Sequence, residues 1–306
     1  MHPNPKPRSK NAQSLNARFS EKPIKAKLAC GLYLVSTPIG NLSDFSARAI
    51  EVLNHADLIL AEDTRNTKKL MTAYGIQGAV ERADEEATAS AIHKALLLLE
   101  KGGAVAFASD AGTPSICDPG QRLAQAIIEK GFEVFPIPGA SSVLAALVSS
   151  GLDARQFAFL GFIPNKSNAR KAFIENALSM TMTTIMFETG PRLLASLEIL
   201  AQIAPHRQIA VTRELTKLFE EKKRGTAGDI LVHYQTNGTP KGEIVIVVEG
   251  AEVAVAIFDG EALEAKIIEG LAKEGIKDVS ARLAKETGLK KRDIYQLALS
   301  LSKKID

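Results

Sequence analysis

From residue 31 onward, short and solidly apolar runs alternate with stretches whose apolar residues recur at helical spacing. That alternation restricts the possible folds more than any other property of the chain. "LYLVS" (32–36), "LILA" (58–61), "AVAFAS" (104–109) and "EVFPI" (133–137) read as strands. "SARAIEVLNHA", "TASAIHKALLLLEKG" and "QRLAQAIIEKG" lie between them and read as helices, with Gly102 and Gly131 where C-terminal caps belong. Strands that are apolar throughout are buried on both faces, so the pattern predicts a parallel sheet with crossover helices.

A second set follows Gly151. It holds the strand-like "FAFLGF", "TTIMFE", "QIAVTRE" and "GEIVIVVEG", separated by the helical "NARKAFIENAL", "RLLASLEILAQI" and "GDILVHYQ". The expected organisation is an N-terminal α/β domain over 29–151, a second α/β domain over 152–252 with "VSSGLDARQ" as hinge, and a helical module over 253–306. In that module "GEALEAKIIEGLAKEG", "VSARLAKETG" and "KRDIYQLALSLSKK" read as three short helices, with helix-turn-helix spacing around Gly288. It reads either as a small bundle packed on the body or as a nucleic-acid-binding unit. Lys285, Lys290, Lys291, Arg292, Lys303 and Lys304 support the second reading.

With 306 residues and 45% apolar content, the chain can fill two cores. No apolar stretch reaches the roughly 18–20 residues that cross a bilayer, and no hydrophobic signal core opens the chain, so a cytoplasmic protein without membrane contact is expected. Cys30 and Cys117 cannot build a disulfide framework, which fits a reducing compartment. Residues 1–28 carry seven Lys/Arg against the single acid Glu21, so the remainder holds about three negative charges in excess. Four prolines and little apolar content make this basic tail an expected disordered segment, either a solubilising leader or an arm that touches phosphates.

In an open parallel sheet, ligands bind beyond the carboxyl ends of the strands. Four loops leave such ends: "TPIGNLSD", "EDTRNT", "SDAGTPSICDPG" and "PGASS". Small residues let a ligand approach the main chain, and proline fixes loop shape. Four such loops on one edge predict a ligand shelf. The dinucleotide fingerprint GxGxxG is missing from the first loop and GxxxxGK[ST] occurs nowhere, which argues against NAD and P-loop chemistry. The shelf carries Asp44, Glu62, Asp63, Asp110 and Asp118, so a cationic or zwitterionic nucleoside such as S-adenosylmethionine (AdoMet) suits it better than a polyphosphate. No metal is expected, because the five histidines are scattered and HExxH and CxxC are absent. Cys117 reads as a small packing residue rather than a nucleophile.

The combination "TPIGN", "EDTR", "SDAGTP" and "PGAS" resembles the RsmI-type 16S ribosomal RNA (cytidine-2′-O)-methyltransferases, a branch of the tetrapyrrole methylase superfamily. "VTRELTKLFEE", "KGEIVIVVEG" and the C-terminal "ARLAKETGLKKRDIYQLAL" extend the likeness over roughly 30–300. The resemblance implies two α/β domains with AdoMet in the cleft between them, a homodimer, and a helix-turn-helix appendix. The methyl acceptor it implies is the ribose 2′-hydroxyl of a cytidine in the decoding region of 16S rRNA in the small ribosomal subunit.

Carried over by position, Pro38 belongs to the first AdoMet-lining loop. Ser109, Asp110, Ala111, Gly112, Thr113 and Pro114 form the main one, continued by Ser115, Ile116 and Cys117. Ser141 and Ser142 close the shelf. From the second domain Phe187 and the stretch Pro240, Lys241, Gly242 and Glu243 cover the other side. One departure stands out: the family reads Glu-Ser-Pro-His-Arg where this chain has Glu188-Thr189-Gly190-Pro191-Arg192, so no histidine has an acid–base role there.

Methyl transfer to a ribose oxygen is an in-line displacement that gains from alignment and from a group that takes the hydroxyl proton. The candidates are Glu62 or Asp63 as hydroxyl partner, with Arg65, Arg213 and Lys217 as phosphate or oxyanion contacts. Alternatively, "EDTR" is simply a helix start whose acids complement the dipole. Two rival functions remain open at this level: carbon methylation of a tetrapyrrole, and a ligand-sensing regulator that reads DNA.

Overall fold

Five parallel strands form the first sheet: β1 (Gly31–Val35), β2 (Leu58–Ala61), β3 (Val80–Arg82), β4 (Ala104–Ala108) and β5 (Val134–Ile137). Their order is β3-β2-β4-β1-β5. The computed structural model describes residues 27–252, 260–287 and 289–305. Residues 1–26 of the expected tail over 1–28 and the turn at Gly288 lie outside the described residues, as do the side chains of Lys303 and Lys304.

Register decides what this sheet can do. Val35 pairs with both Ala108 and Ile137, and Ala108 pairs with Ala61. Four strands therefore stop at one level, and their outgoing loops share one edge. β1, β2 and β4 are apolar on both sides because helices cover both faces. Tyr33, Val35, Ile59, Ala104 and Ala106 pack with Val52, Leu53 and Met71 from the helices Ala47–His55 and Thr64–Tyr74. Leu32, Leu60, Val105 and Phe107 face Ala95, Leu99, Leu123 and Ile127 from the helices Thr88–Leu99 and Gly120–Glu129. Ser46 caps the first of these helices by accepting from the Ala49 N–H. Gly102 and Gly131 take left-handed φ values of 78° and 80° where the sequence placed helix stops.

The second sheet is mixed. β6 (Phe157–Phe162), β7 (Thr183–Thr189), β8 (Gln208–Arg213), β9 (Glu221–Thr226) and β10 (Glu243–Val248) run in the order β6-β7-β10-β8-β9. Only β6 and β7 pair in parallel; β10 is antiparallel to both its neighbours, and β8 to β9. In β10, Ile244, Ile246 and Val248 point to a face covered by the helices Ser167–Ser179, Leu193–Ile203 and Ala227–Asn237. Val245 and Val247 point the other way, onto Val143, Ala146 and Leu147.

Those three residues belong to the helix Ser142–Ser150, which leaves the first sheet and packs on the second. Arg224 of β9 fastens its end, donating from Nε to the Ser149 carbonyl at 2.9 Å. The described residues up to Gly250 form one compact unit.

The described residues from Ala251 form a second compact unit. Its helices Gly260–Leu271, Ile276–Thr287 and Lys291–Ile305 enclose Leu263, Ile267, Val279, Leu283, Ile294 and Ala298.

Candidate active site

The four loops on the carboxyl edge of the first sheet are tied to one another. Thr37 and Gly112 exchange two backbone hydrogen bonds, of 2.9 and 3.1 Å, as an isolated antiparallel bridge. Buried Thr37 also donates from Oγ1 to the Ser109 carbonyl at 3.0 Å. Thr113 Oγ1 donates to the Ala140 carbonyl at 3.2 Å, which joins the loop after β4 to the loop after β5. Asp110 reaches the loop after β2: its Oδ1 accepts the Asp63 N–H and its Oδ2 accepts the Asn66 side-chain amide, each at 3.0 Å.

The loop after β4 is built from unusual backbone. Gly112, Ser115 and Cys117 have φ of 84°, 71° and 65°. Non-glycine residues adopt such values only where the surroundings over-determine them. Here Asp118 does so, accepting the Ser115 and Gly120 N–H groups on one oxygen at 2.8 Å each. The Ser115 hydroxyl oxygen and the second Asp118 oxygen are buried with no partner.

Besides a cavity of about 520 Å³ lined by Glu62, Cys117 and Asp118, two more open on this shelf. One of about 250 Å³ is lined by Pro38, Gly40, Leu42, Asn66, Lys69, Ser109 and Asp110. The other, about 480 Å³ and mainly apolar, is lined by Ser36, Thr113, Pro114, Ile116, Pro138, Ser141 and Phe159. The helix that starts at Ser142 has Ser141 as its N-cap, which accepts the Leu144 N–H. Ala111 is exposed at the crest of the loop. Phe187 stands one layer back, with its ring 4.7 Å from Phe159 and 5.1 Å from Phe162.

Pro240–Glu243 leads into β10, on the edge of the second sheet where β7 and β8 end. Arg213 Nε donates to the Lys241 carbonyl at 2.7 Å. Lys217 Nζ lies 3.0 Å from both Glu214 Oε1 and Glu243 Oε2. This cluster touches the shelf through Gly40, where a Cβ would come 2.3 Å from Lys217 Cγ. Beside it, the Asn41 N–H donates to Thr216 Oγ1 at 3.1 Å. Sequence reasoning does not single out Thr37, Gly40 or Asn66; the G-N step after a strand is the one signal for the close approach at Gly40.

A family model for tetrapyrrole (corrin/porphyrin) methylases matches residues 31–231. A ribosomal RNA small subunit methyltransferase I from Neisseria meningitidis serogroup B is 40% identical over 275 residues, covering 89% of this chain and 94% of that one. The chain belongs to the ribosomal RNA small subunit methyltransferase I family of tetrapyrrole methylases. Another methyltransferase I, from Erythrobacter litoralis, is 43% identical over 274 residues, with 90% and 96% coverage. The crystal structure of diphthine synthase shares the fold at a TM-score of 0.53 and 16% identity, over 71% of this chain and 89% of that one.

The two carboxylates after β2 differ sharply. Asp63 caps the helix Thr64–Tyr74: its Oδ1 accepts the Arg65 N–H at 2.8 Å, and Arg65 Nη2 donates to Oδ2 at 2.8 Å. That Arg65 side chain holds the Asp63 carboxyl down at about 2. Arg65 itself folds back along the surface with 84% of its side chain exposed. Glu62 has the opposite character. Burial, and then the neighbouring charges of Asp110, Asp118 and Asp84, push it above the ordinary glutamate range.

On the second sheet, burial works against the Glu214 carboxylate, but the Glu243 N–H and Lys217 outweigh it and lower its pKa. Burial likewise disfavours the Lys217 ammonium, and its bonds to Glu243 and Glu214 raise its pKa regardless. Glu188 is wholly buried, accepting Ser196 Oγ at 2.5 Å and the Thr189 N–H at 2.8 Å, with Arg192 Nη2 at 3.0 Å. Among the described residues no cluster of His, Cys, Asp and Glu could hold a metal ion, and no helix is long and apolar enough to cross a membrane.

Proposed function

We propose that this protein methylates the ribose 2′-hydroxyl of a cytidine in 16S rRNA of the small ribosomal subunit, with AdoMet as donor and as a homodimer. The observation that carries the reading is the four-loop shelf, locked by the Thr37–Gly112 bridge and placed where four parallel strands stop. The names of the relatives supply the substrate class.

The residues present fit AdoMet. The cavity of about 480 Å³ falls in the range of small-ligand sites, roughly 300–1,000 Å³. Its apolar wall of Pro114, Ile116 and Phe159 suits a nucleoside base, and Ser141 and Thr113 offer polar contacts. Pro38, Ser109–Cys117, Ser141 and Ser142 would hold the donor, with Phe187 supporting Phe159 and Pro240–Glu243 closing the far side. When bound, AdoMet supplies a methyl group on a sulfonium, which is a good leaving group.

The remaining work falls to the chain. The interlocked loops hold their shape before ligand arrives, which lowers the ordering cost of binding. Glu62 is the better partner for the ribose hydroxyl proton, because its raised pKa makes it the more basic carboxylate while Asp63 is occupied by Arg65. Of the three cations Arg65 is the one whose side chain is largely exposed and can also meet an RNA phosphate; Lys217 is held between Glu214 and Glu243, and Arg213 by the Lys241 carbonyl and Glu221. In the second unit Lys285, Lys290, Lys291 and Arg292 are exposed and can meet RNA phosphates.

The test is transfer of labelled methyl from AdoMet to purified small subunits, with uroporphyrinogen III as control, and mapping of 2′-O-methyl groups on 16S rRNA from cells with and without the gene. The expected result is one cytidine mark that disappears with the gene. Methylation of the tetrapyrrole alone would overturn the reading.

A further inference from the structure

We propose that Leu218 and Phe219 form an apolar wedge that stacks against bases next to the target nucleotide and keeps it out of its helical stack. The inference rests on the rRNA reading above and names how the same site presents its substrate.

Leu218, Val148 and Phe219 are the most exposed large apolar side chains described, at 90%, 76% and 66%. Two of the three are consecutive, at the tip of one turn. A water-facing pair of this kind marks a surface that something else covers.

The turn beneath them is rigid. The Lys217 N–H donates to the Glu214 carbonyl at 3.0 Å, and the Glu220 N–H to the Lys217 carbonyl at 3.2 Å. Glu220 Oε2 accepts the Thr216 N–H at 2.6 Å. Glu214 and Thr216 sit at φ of 46° and 67°, a backbone that persists only because these bonds and the Lys217 ion pairs impose it. A chain that fixes its backbone this firmly while leaving the apolar tip unpacked presents that tip to a partner.

The position selects the partner. The bond from the Asn41 N–H to Thr216 Oγ1 places the turn beside the first shelf loop. Leu42, next along that loop, is 51% exposed and lines the cavity that also holds Lys69 and Asp110. Lys68 and Lys69 are exposed on the adjoining helix and complement a phosphate backbone. Every nucleobase has a π-face, and aromatic side chains on single-stranded or splayed RNA use it for affinity. A ribose hydroxyl within a stacked helix is sheltered by its neighbours, and enzymes that act on one nucleotide extrude it. A second copy of this chain is the competing occupant, and the test separates the two.

The test compares the wild type with L218A/F219A and F219W, all as full-length protein. Three properties are measured: AdoMet affinity by calorimetry, molar mass by light scattering, and single-turnover methyl transfer to small subunits that lack the mark. A fourth readout is 2-aminopurine fluorescence from an RNA hairpin carrying the analogue beside the target cytidine. In L218A/F219A we expect unchanged AdoMet affinity and molar mass, a methyl-transfer rate lower by about 10–100-fold at subsaturating RNA, and loss of the 2-aminopurine brightening. F219W keeps a flat aromatic face and is expected to stay within a few-fold of wild type. Wild-type transfer by the double variant overturns the wedge. So does a loss accompanied by a fall in molar mass, which assigns the pair to an interface between copies. A wild-type protein that methylates no small-subunit RNA overturns the underlying reading instead, and the wedge with it.

Discussion

The carboxylate of Asp110 accepts the backbone N–H of Asp63 at 3.0 Å and, through its other oxygen, the side-chain amide of Asn66. One side chain therefore links the end of β4 to the start of the helix after β2. Hydrogen bonds to charged groups contribute about 1.5–3 kcal/mol each. Asp110→Ala is expected to raise the AdoMet dissociation constant by about 10–100-fold, and Asp110→Asn to lie between. Calorimetry measures both, and an unchanged Asp110→Ala affinity removes Asp110 from the ligand shelf.

Two glycines mark close approaches, Gly190 within the second sheet's edge and Gly40 between the two sheets. A Cβ at Gly190 would stand 2.0 Å from the Pro240 carbonyl oxygen, which is main chain. One at Gly40 would press on Lys217 Cγ, the stem of a side chain that two carboxylates hold. Overpacking of this kind costs about 1–3 kcal/mol and more where backbone must move. Both alanine variants are expected to melt below wild type, Gly190→Ala by the larger margin. Equal melting temperatures for all three proteins would show that neither contact is tight in solution.

Glu62 and Asp63 should separate in a pH profile. The Glu62 carboxyl stays protonated to a higher pH than an ordinary glutamate, whose value is 4.5. As hydroxyl partner it gives a rate that rises as pH climbs through its raised pKa. Glu62→Gln should remove that acid limb and lower kcat by about 10²–10⁴-fold. Stability runs the opposite way: a carboxyl raised in the folded state favours folding at low pH, and that contribution is lost as pH rises above 4.5. Glu62→Gln is thus expected to gain thermal stability over wild type at pH 7 and to match it near pH 4. Asp63→Asn keeps a helix cap and should retain the acid limb; its loss there would transfer the role to Asp63.

Glu188 is a structural acid. Its removal leaves Arg192 half-buried beside a vacated site, and breaking a buried pair costs about 3–5 kcal/mol. Glu188→Ala should lower the denaturation midpoint strongly, while Glu188→Gln, which still accepts from Ser196 and the Thr189 N–H, should lose less. A stable but inactive Glu188→Ala would assign the residue to catalysis instead.

Much of the fold and the shelf is legible in the sequence. The apolar runs of β1, β2, β4 and β5 announce parallel strands, buried in β1, β2 and β4 and half-buried in the edge strand β5, and the glycine and proline crowding in "SDAGTP" announces the shelf. β3 and β9 escape such a reading. β3 has three residues, two of them charged, and "EKKRGT" of β9 has no apolar side chain, because it pairs through its backbone at a sheet edge. The fate of Asp63 is also hidden, since the same four letters serve a proton acceptor or a helix cap. What separates the two is where Arg65 folds, and that is a matter of geometry rather than spelling.

The helix Ser142–Ser150 starts at the ligand shelf of one sheet and spends its apolar face on the other, with Arg224 gripping its far end. Neither sheet is whole without it: it is the last segment of one and the lid of the other. Heat or denaturant should therefore melt both sheets in a single step, and a donor molecule resting on Ser141 would be felt across the seam as added resistance to unfolding in β8 and β10.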